Sequence, residues 1–210
     1  MIRKNLKILI ITSIITLLPI LAGIFLWNQL PDQMPIHWNG AGEVDGWSSK
    51  PIAVFGMPLF LMVVQWLVVI LTSSDPKRAA HSEKVLHMIF WFIPILSVAV
   101  HAFTYAATMG ENVQIDVFMP VLLGLLFTIT GNYLPKCKQN YTIGIKLPWT
   151  LNSEENWNKT HRVAGIVWVI CGVIMVLSGF FNLMNIIPYV ALIMIFIPFT
   201  YSYILYRKGI

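Results

Sequence analysis

Apolar residues gather along this chain in six long blocks, approximately Ile8 to Trp27, Pro51 to Leu71, Leu86 to Met109, Val117 to Leu134, Val163 to Phe181 and Ile186 to Tyr206. The hydrocarbon core of a bilayer is roughly 30 Å thick and an α-helix rises about 1.5 Å per residue, so about 20 apolar residues cross it. Each block has that length. The pattern predicts an all-α integral membrane protein of six transmembrane helices, a single membrane domain over residues 1–210. The first block follows Arg3, Lys4 and Lys7 as a signal peptide would, but its apolar run is too long and no small-residue cleavage site closes it. It is expected to be retained.

Composition supports this. The chain is 57% hydrophobic and 11% charged, against roughly 25% charged residues in ordinary soluble domains. The formal charge of +5 raises the question of nucleic acid, and the positions of the basic residues answer it. Arg3, Lys4 and Lys7 precede the first block; Lys77, Arg78 and Lys84 follow the second; Lys136, Lys138, Lys146, Lys159 and Arg162 follow the fourth; Arg207 and Lys208 follow the sixth. All basic residues but Lys50 thus fall on one side of a six-span topology. By the positive-inside rule that side is the cytoplasm, with both termini in it. The charge reports orientation, and no direct nucleic-acid binding is expected. Cys137 falls in an inward connection and Cys171 inside the fifth block, so neither is placed for an extracellular disulfide.

Two connections are long enough to carry function. The outer one, residues 29–50, reads QLPDQMPIHWNGAGEVDGWSSK. Its prolines enforce extended backbone and its glycines and Asn39 offer turns, so it reads as ordered, with Trp38 and Trp47 suited to the membrane interface. It is either an interfacial cap or a binding loop. His37, Glu43 and Asp45 lack any recognised ligand spacing, and no metal is expected. The inner connection, residues 135–162, has Asn152 and Glu155 at capping-box spacing, which starts a helix near Ser153. Trp157 and His161 then share one helix face. Neither a zinc-protease motif nor a nucleophile motif accompanies His161.

Within the spans, His101, Thr104, Tyr105 and Thr108 form one polar face in the outward half of the third, expected to point into the bundle, with Gln65 as a possible partner. The fifth carries small pairs seven apart, Ala164-Gly165, Cys171-Gly172 and Ser178-Gly179, a stripe that lets another helix approach closely. No Asp or Glu lies in the interior of a span, which disfavours a proton-coupled transporter. No enzyme, cofactor or catalytic residue is expected.

Taken together, the two connections resemble the SdpI family of bacterial immunity proteins. The outer resemblance rests on Pro35, His37, Trp38, Asn39, Gly42, Asp45, Gly46, Trp47 and Lys50. The inner one rests on Gly131, Asn132, Asn140, Ile143, Gly144, Pro148-Trp149-Thr150-Leu151, Glu155, Trp157, His161 and Arg162. Lys146-Leu147 departs from it, standing where family members commonly have Arg-Thr, with loss of a planar five-donor fork. The resemblance implies a multi-pass protein of the bacterial cytoplasmic membrane that protects the cell against a secreted peptide toxin. It also implies a signalling role, in which a cytoplasmic transcriptional repressor is held at the membrane. His37, Trp38, Asp45, Trp47, His101 and Tyr105 would then sense toxin outside. Asn132, Asn140, Lys146, Pro148, Trp149, Thr150, Glu155, Trp157, His161 and Arg162 would signal inside. The alternative is a transporter or exporter of a peptide or small solute.

Overall fold

In hydrocarbon every backbone N–H and C=O must be bonded within the protein, so an apolar block of spanning length closes into a helix. The structure, a computed structural model, describes residues 2–40, 42–77 and 82–210. Arg78, counted above among the inward basic residues, lies outside the described residues. Among those described, six helices are long and apolar enough to cross a membrane. They correspond one to one with the predicted blocks: α1 (Ile2–Phe25), α2 (Met57–Ser73), α3 (Glu83–Thr108), α4 (Ile115–Tyr133), α6 (Glu154–Phe180) and α7 (Ile187–Arg207). The chain is a multi-pass membrane protein. A short helix, α5 (Pro148–Asn152), precedes α6, and a π-helical turn, Ile52–Gly56, leads into α2.

The start of α6 refines the expected cap. Ser153, not Asn152, is the N-cap: its hydroxyl accepts from the Asn156 N–H at 3.1 Å, and Glu154 and Glu155 follow in the first turn, where the helix dipole favours carboxylates. Asn152 instead ends α5.

By internal contacts the chain divides into two units, Met1–Ile70 with Ile89–Phe118, and Leu71–Met88 with Met119–Ile210. In the first, polar side chains link three helices. Gln65 accepts from the Thr16 hydroxyl and donates to Thr12, both at 2.8 Å, and Ser97 donates to the Thr16 carbonyl at 2.8 Å. The 29–50 connection, expected to be extended and ordered, folds as an antiparallel hairpin, β1 (Gln33–Trp38) on β2 (Val44–Ser49), with Met34 opposite Ser48 and Pro35 opposite Trp47. Asn39 and Glu43 close its turn, the Asn39 N–H bonding the Glu43 carbonyl at 2.8 Å, and Gly42 sits at φ +80°, where a side chain is strained. Lys50 fixes the hairpin's exit: its ammonium donates to the Trp27 carbonyl at 3.2 Å and lies 3.5 Å from Asp32.

The second unit is built on close helix approach. Ala164, Gly165, Cys171, Gly172, Ser178 and Gly179 are all buried. A Cβ on Gly172 would lie 2.6 Å from the Gly124 carbonyl, and one on Gly165 would lie 2.8 Å from that of Gly131. The stripe on α6 is therefore matched by glycines on α4, also seven residues apart. On another side, Cys171 and Met175 pack with Val190 and Met194 of α7, and Trp168 donates to the Met194 carbonyl at 3.0 Å.

Because the Thr128 hydroxyl and two backbone atoms, the Gly124 carbonyl oxygen and the Thr128 nitrogen, occupy the space beside Gly172, Gly172→Val should lower stability by about 1–3 kcal/mol. Gly40→Ala, with nothing within 4 Å, should be near neutral. Thermal unfolding of both variants in detergent micelles checks this ordering.

Candidate functional site

The polar face of α3 points inward. His101 is 5% exposed, and its Nδ1 lies 2.8 Å from the Ser97 carbonyl, which requires the proton on Nδ1. The Tyr105 hydroxyl donates to the Pro19 carbonyl at 3.0 Å, and Thr108 donates to the Thr104 carbonyl at 2.6 Å. Gln65 is not the partner of His101; it is committed to Thr12 and Thr16. His101 and Thr104 line one end of a cavity of about 160 Å³, otherwise walled by Ile36, Ala53, Met57, Leu61, Leu96 and Val100.

The hairpin meets this helix through Trp38, whose ring stands edge-on to Phe103 at 5.3 Å, while Phe103 stacks on Phe118 at 4.4 Å. His37, Asp45 and Trp47 remain exposed. His37 and Asp45 form a pair, Nδ1 to Oδ1, at 2.5 Å, which orients the imidazole and leaves Nε2 free of that contact. Glu43 is engaged with Asn39 instead, and among the described residues no group of three His, Cys, Asp or Glu side chains gathers as a metal site would require. The six outward candidates thus divide into exposed His37, Asp45 and Trp47, half-buried Trp38, and buried His101 and Tyr105.

The 135–162 connection is a knot of satisfied polar groups. Trp157 is 0% and His161 1% exposed, their rings stacked at 4.1 Å. Trp157 donates through Nε1 to the Cys137 carbonyl at 2.7 Å. His161 accepts the Ile145 N–H at Nε2 (2.9 Å), so Nδ1 bears the proton and donates to the Trp157 carbonyl (2.8 Å). Gly144 passes over both rings at φ +113°, where a Cβ would lie 3.1 Å from the Trp157 ring. Asn140 uses its whole amide: it donates to the Lys138 and Ile143 carbonyls and accepts from the Thr142 and Ile143 N–H groups. Thr150 accepts the Leu147 N–H at 2.8 Å, which caps the short helix that Pro148 opens.

Trp149 sits differently. Half-buried, it donates to the Ser202 hydroxyl at 2.7 Å, stacks on Tyr206 at 5.5 Å and stands edge-on to Phe199 and Tyr203. With Pro148, Asn152, Tyr206, Gly209 and Ile210 it borders an open cavity of about 290 Å³. Lys146, Pro148, Glu155, Arg162 and, on α4, Asn132 are exposed. The exposed Lys146 ammonium bonds the Thr142 carbonyl at 3.0 Å, and Glu155 pairs with Lys159 at 2.7 Å.

Several organising residues were missed by sequence reading. Asp75, 2% exposed, accepts from the Lys77 N–H through Oδ1, and from the Tyr141 N–H and the Thr142 hydroxyl through Oδ2. Its Ser-Asp-Pro setting reads simply as a turn. Ser202 and Asn156 exchange bonds across α6 and α7, Ser202 donating to Asn156 Oδ1 at 2.8 Å and Asn156 donating to the Ser202 carbonyl at 3.1 Å.

Residues 136–202 match the SdpI/YfhL protein family, and residues 14–62 match a domain of unknown function (DUF1648). The chain is 29% identical over 209 residues to Immunity protein SdpI of Bacillus subtilis (strain 168), covering 98% of this chain and 97% of that protein. No solved structure matches. The hairpin and the Asn140 to Arg162 candidates lie inside the matched segments, whereas His101, Tyr105 and Asn132 lie outside both.

Burial also sets the chemistry of Cys137, which is 6% exposed and whose thiol is pushed up to about 11. It should resist thiol reagents at pH 7.5, the thiolate being the reactive form. Trp157→Phe strips the bond to the Cys137 carbonyl and should cost about 1–3 kcal/mol. Faster Cys137 alkylation together with a lower unfolding temperature is the expected result.

Proposed function

We propose that this chain, which belongs to the SdpI/YfhL protein family, is a non-enzymatic immunity protein that protects its cell against a secreted, membrane-attacking peptide. The observation that carries this reading is the likeness to Immunity protein SdpI along 98% of the chain, both long connections included. An isolated shared segment would support only a shared fold element.

The sorting of basic residues supports an orientation with the hairpin outside and residues 135–162 in the cytoplasm. The toxin-sensing side then consists of exposed His37, Asp45 and Trp47, with Trp38, His101 and Tyr105 behind them. On the inner side, Lys146, Pro148, Trp149, Glu155 and Arg162 offer the contact surface for a transcriptional repressor. Asn140, Thr150, Trp157 and His161 hold that surface in shape, and Asn132 flanks it on α4. Tryptophan and arginine are the residue types that dominate binding hot spots. A peptide outside can change repressor binding inside only by favouring one of two conformations, so signalling requires a two-state bundle.

Topology is checked by an impermeant thiol reagent on intact cells. In a Cys137→Ser background, Asp45→Cys should label from outside and Lys138→Cys only after permeabilisation. Protection is checked in toxin-sensitive cells challenged with culture supernatant of the strain that encodes this chain. Expression should restore survival. His101→Leu should lose most of it at normal abundance, because leucine removes the imidazole while favouring insertion. Unchanged survival in that variant would remove His101 from the site, and no survival with the unmodified chain would overturn the immunity reading.

A further inference from the structure

The cavity beneath the hairpin has a size and a chemistry that select a ligand. Its volume is about 160 Å³. An aliphatic cavity of about 150 Å³ stays dry and holds one benzene ring, and a water occupies roughly 30 Å³ in the liquid. The space, which is partly open, accommodates one aromatic ring or one branched aliphatic group. Ile36, Ala53, Met57, Leu61, Leu96 and Val100 supply the apolar wall, and among the described residues no charged residue lines it.

One end is polar. His101 and Thr104 line it at 5% and 6% exposure. His101 spends Nδ1 on the Ser97 carbonyl. Thr104 gives its carbonyl to Thr108, but its hydroxyl has no hydrogen-bond partner among the described residues. The hydroxyl is not among the fully enclosed polar atoms that lack a partner, so it is accessible to a ligand group that could bond it. The complementary occupant is an apolar group of ring size attached to an amide, which describes an amino-acid side chain with its own backbone. The hairpin contributes Ile36, itself 38% exposed, to the wall, so the cavity adjoins the element that carries exposed His37 and Trp47.

We propose that this cavity is the receptor pocket for a single aromatic or branched apolar side chain of the peptide toxin, whose adjoining backbone amide bonds the Thr104 hydroxyl. That the peptide is a toxin rests on the immunity reading; that the pocket takes a peptide side chain rests on the cavity alone.

The test uses the full chain in phosphatidylcholine nanodiscs with its methionine methyls labelled, the Met57 signal being assigned through Met57→Leu. The probe is N-acetyl-phenylalanine amide, with N-acetyl-glycine amide as control. A saturable shift of Met57 by the phenylalanine probe, absent with the glycine probe, is expected. Val100→Phe fills the cavity and should abolish the shift, with a retained, dispersed signal from Met34, buried in the same unit, reporting intact folding. Thr104→Val, nearly isosteric and lacking the hydroxyl, should weaken binding about three- to tenfold, the size of one hydrogen bond. A non-saturable response, an equal response to the glycine probe, or a shift that survives in Val100→Phe overturns the pocket; Leu96→Phe serves if Val100→Phe does not fold. In the survival assay Val100→Phe should lose protection at normal abundance, and full protection despite abolished probe binding would overturn the assignment to the toxin. Probe binding in a chain that gives no protection would sustain the pocket while the immunity reading fell.

Discussion

Hydrocarbon offers no hydrogen bonds, so every polar group in a span must find its partner inside the protein. The two units respond to that constraint differently, and two span hydroxyls, Thr104 on α3 and the enclosed Thr128 on α4, are left without a partner among the described residues. In the first, Thr12, Thr16, Gln65 and Ser97 bond one another and backbone carbonyls across α1, α2 and α3. Such bonds are worth only about 0.6 kcal/mol each on average within a membrane, so their larger effect is on register: a slide or rotation of one helix leaves several groups unpaired together. In the second unit Trp168, Asn156 and Ser202 bond across α6 and α7, and glycine against glycine, Gly165 with Gly131 and Gly172 with Gly124, brings α6 onto α4 closely enough for dispersion forces to act.

The same requirement shapes the parts outside the spans. Residues 137–150 have little regular structure of their own, yet Asn140, Asp75, Thr150, Trp157 and His161 bond backbone groups at residues 137, 138, 141, 142, 143, 145 and 147. A connection held this way presents a fixed surface, and that surface is made of the residues the knot does not use: Lys146, Pro148, Glu155, Arg162 and the half-buried ring of Trp149. The hairpin follows the same division. Met34 and Pro35 are buried and anchor it, while His37, Asp45 and Trp47 are displayed.

How much of this could be read from the sequence depends on the range of the forces involved. The spans were legible because length and apolarity are local properties. So were the inward polar face of α3 and the small-residue stripe of α6, each needing only helical periodicity. The strands were not read, although Asn39-Gly40 is a recognised hairpin turn, because the flanking residues lack a clean alternation. Trp157 and His161 were placed on one face but not in the interior, since their burial comes from residues 137–145 folding back over them. The wider role of Asp75 was invisible for the same reason: beyond the local Lys77 N–H, its partners lie 66 and 67 residues further along. The cavity of His101 is walled by four separate segments, β1, the π-helical turn, α2 and α3, and no local pattern announces it.

The proposed function assigns peptide sensing to the hairpin and signalling to residues 135–162. Site-specific photo-cross-linking tests this most directly. A photoreactive amino acid is placed at residue 47 or at residue 149, and intact cells are exposed to the secreted peptides of the encoding strain. Covalent capture of a peptide at residue 47 and none at residue 149 is the predicted result. Capture at residue 149 alone, or at neither position in cells that the protein protects, would contradict the assignment of the hairpin as the sensing side.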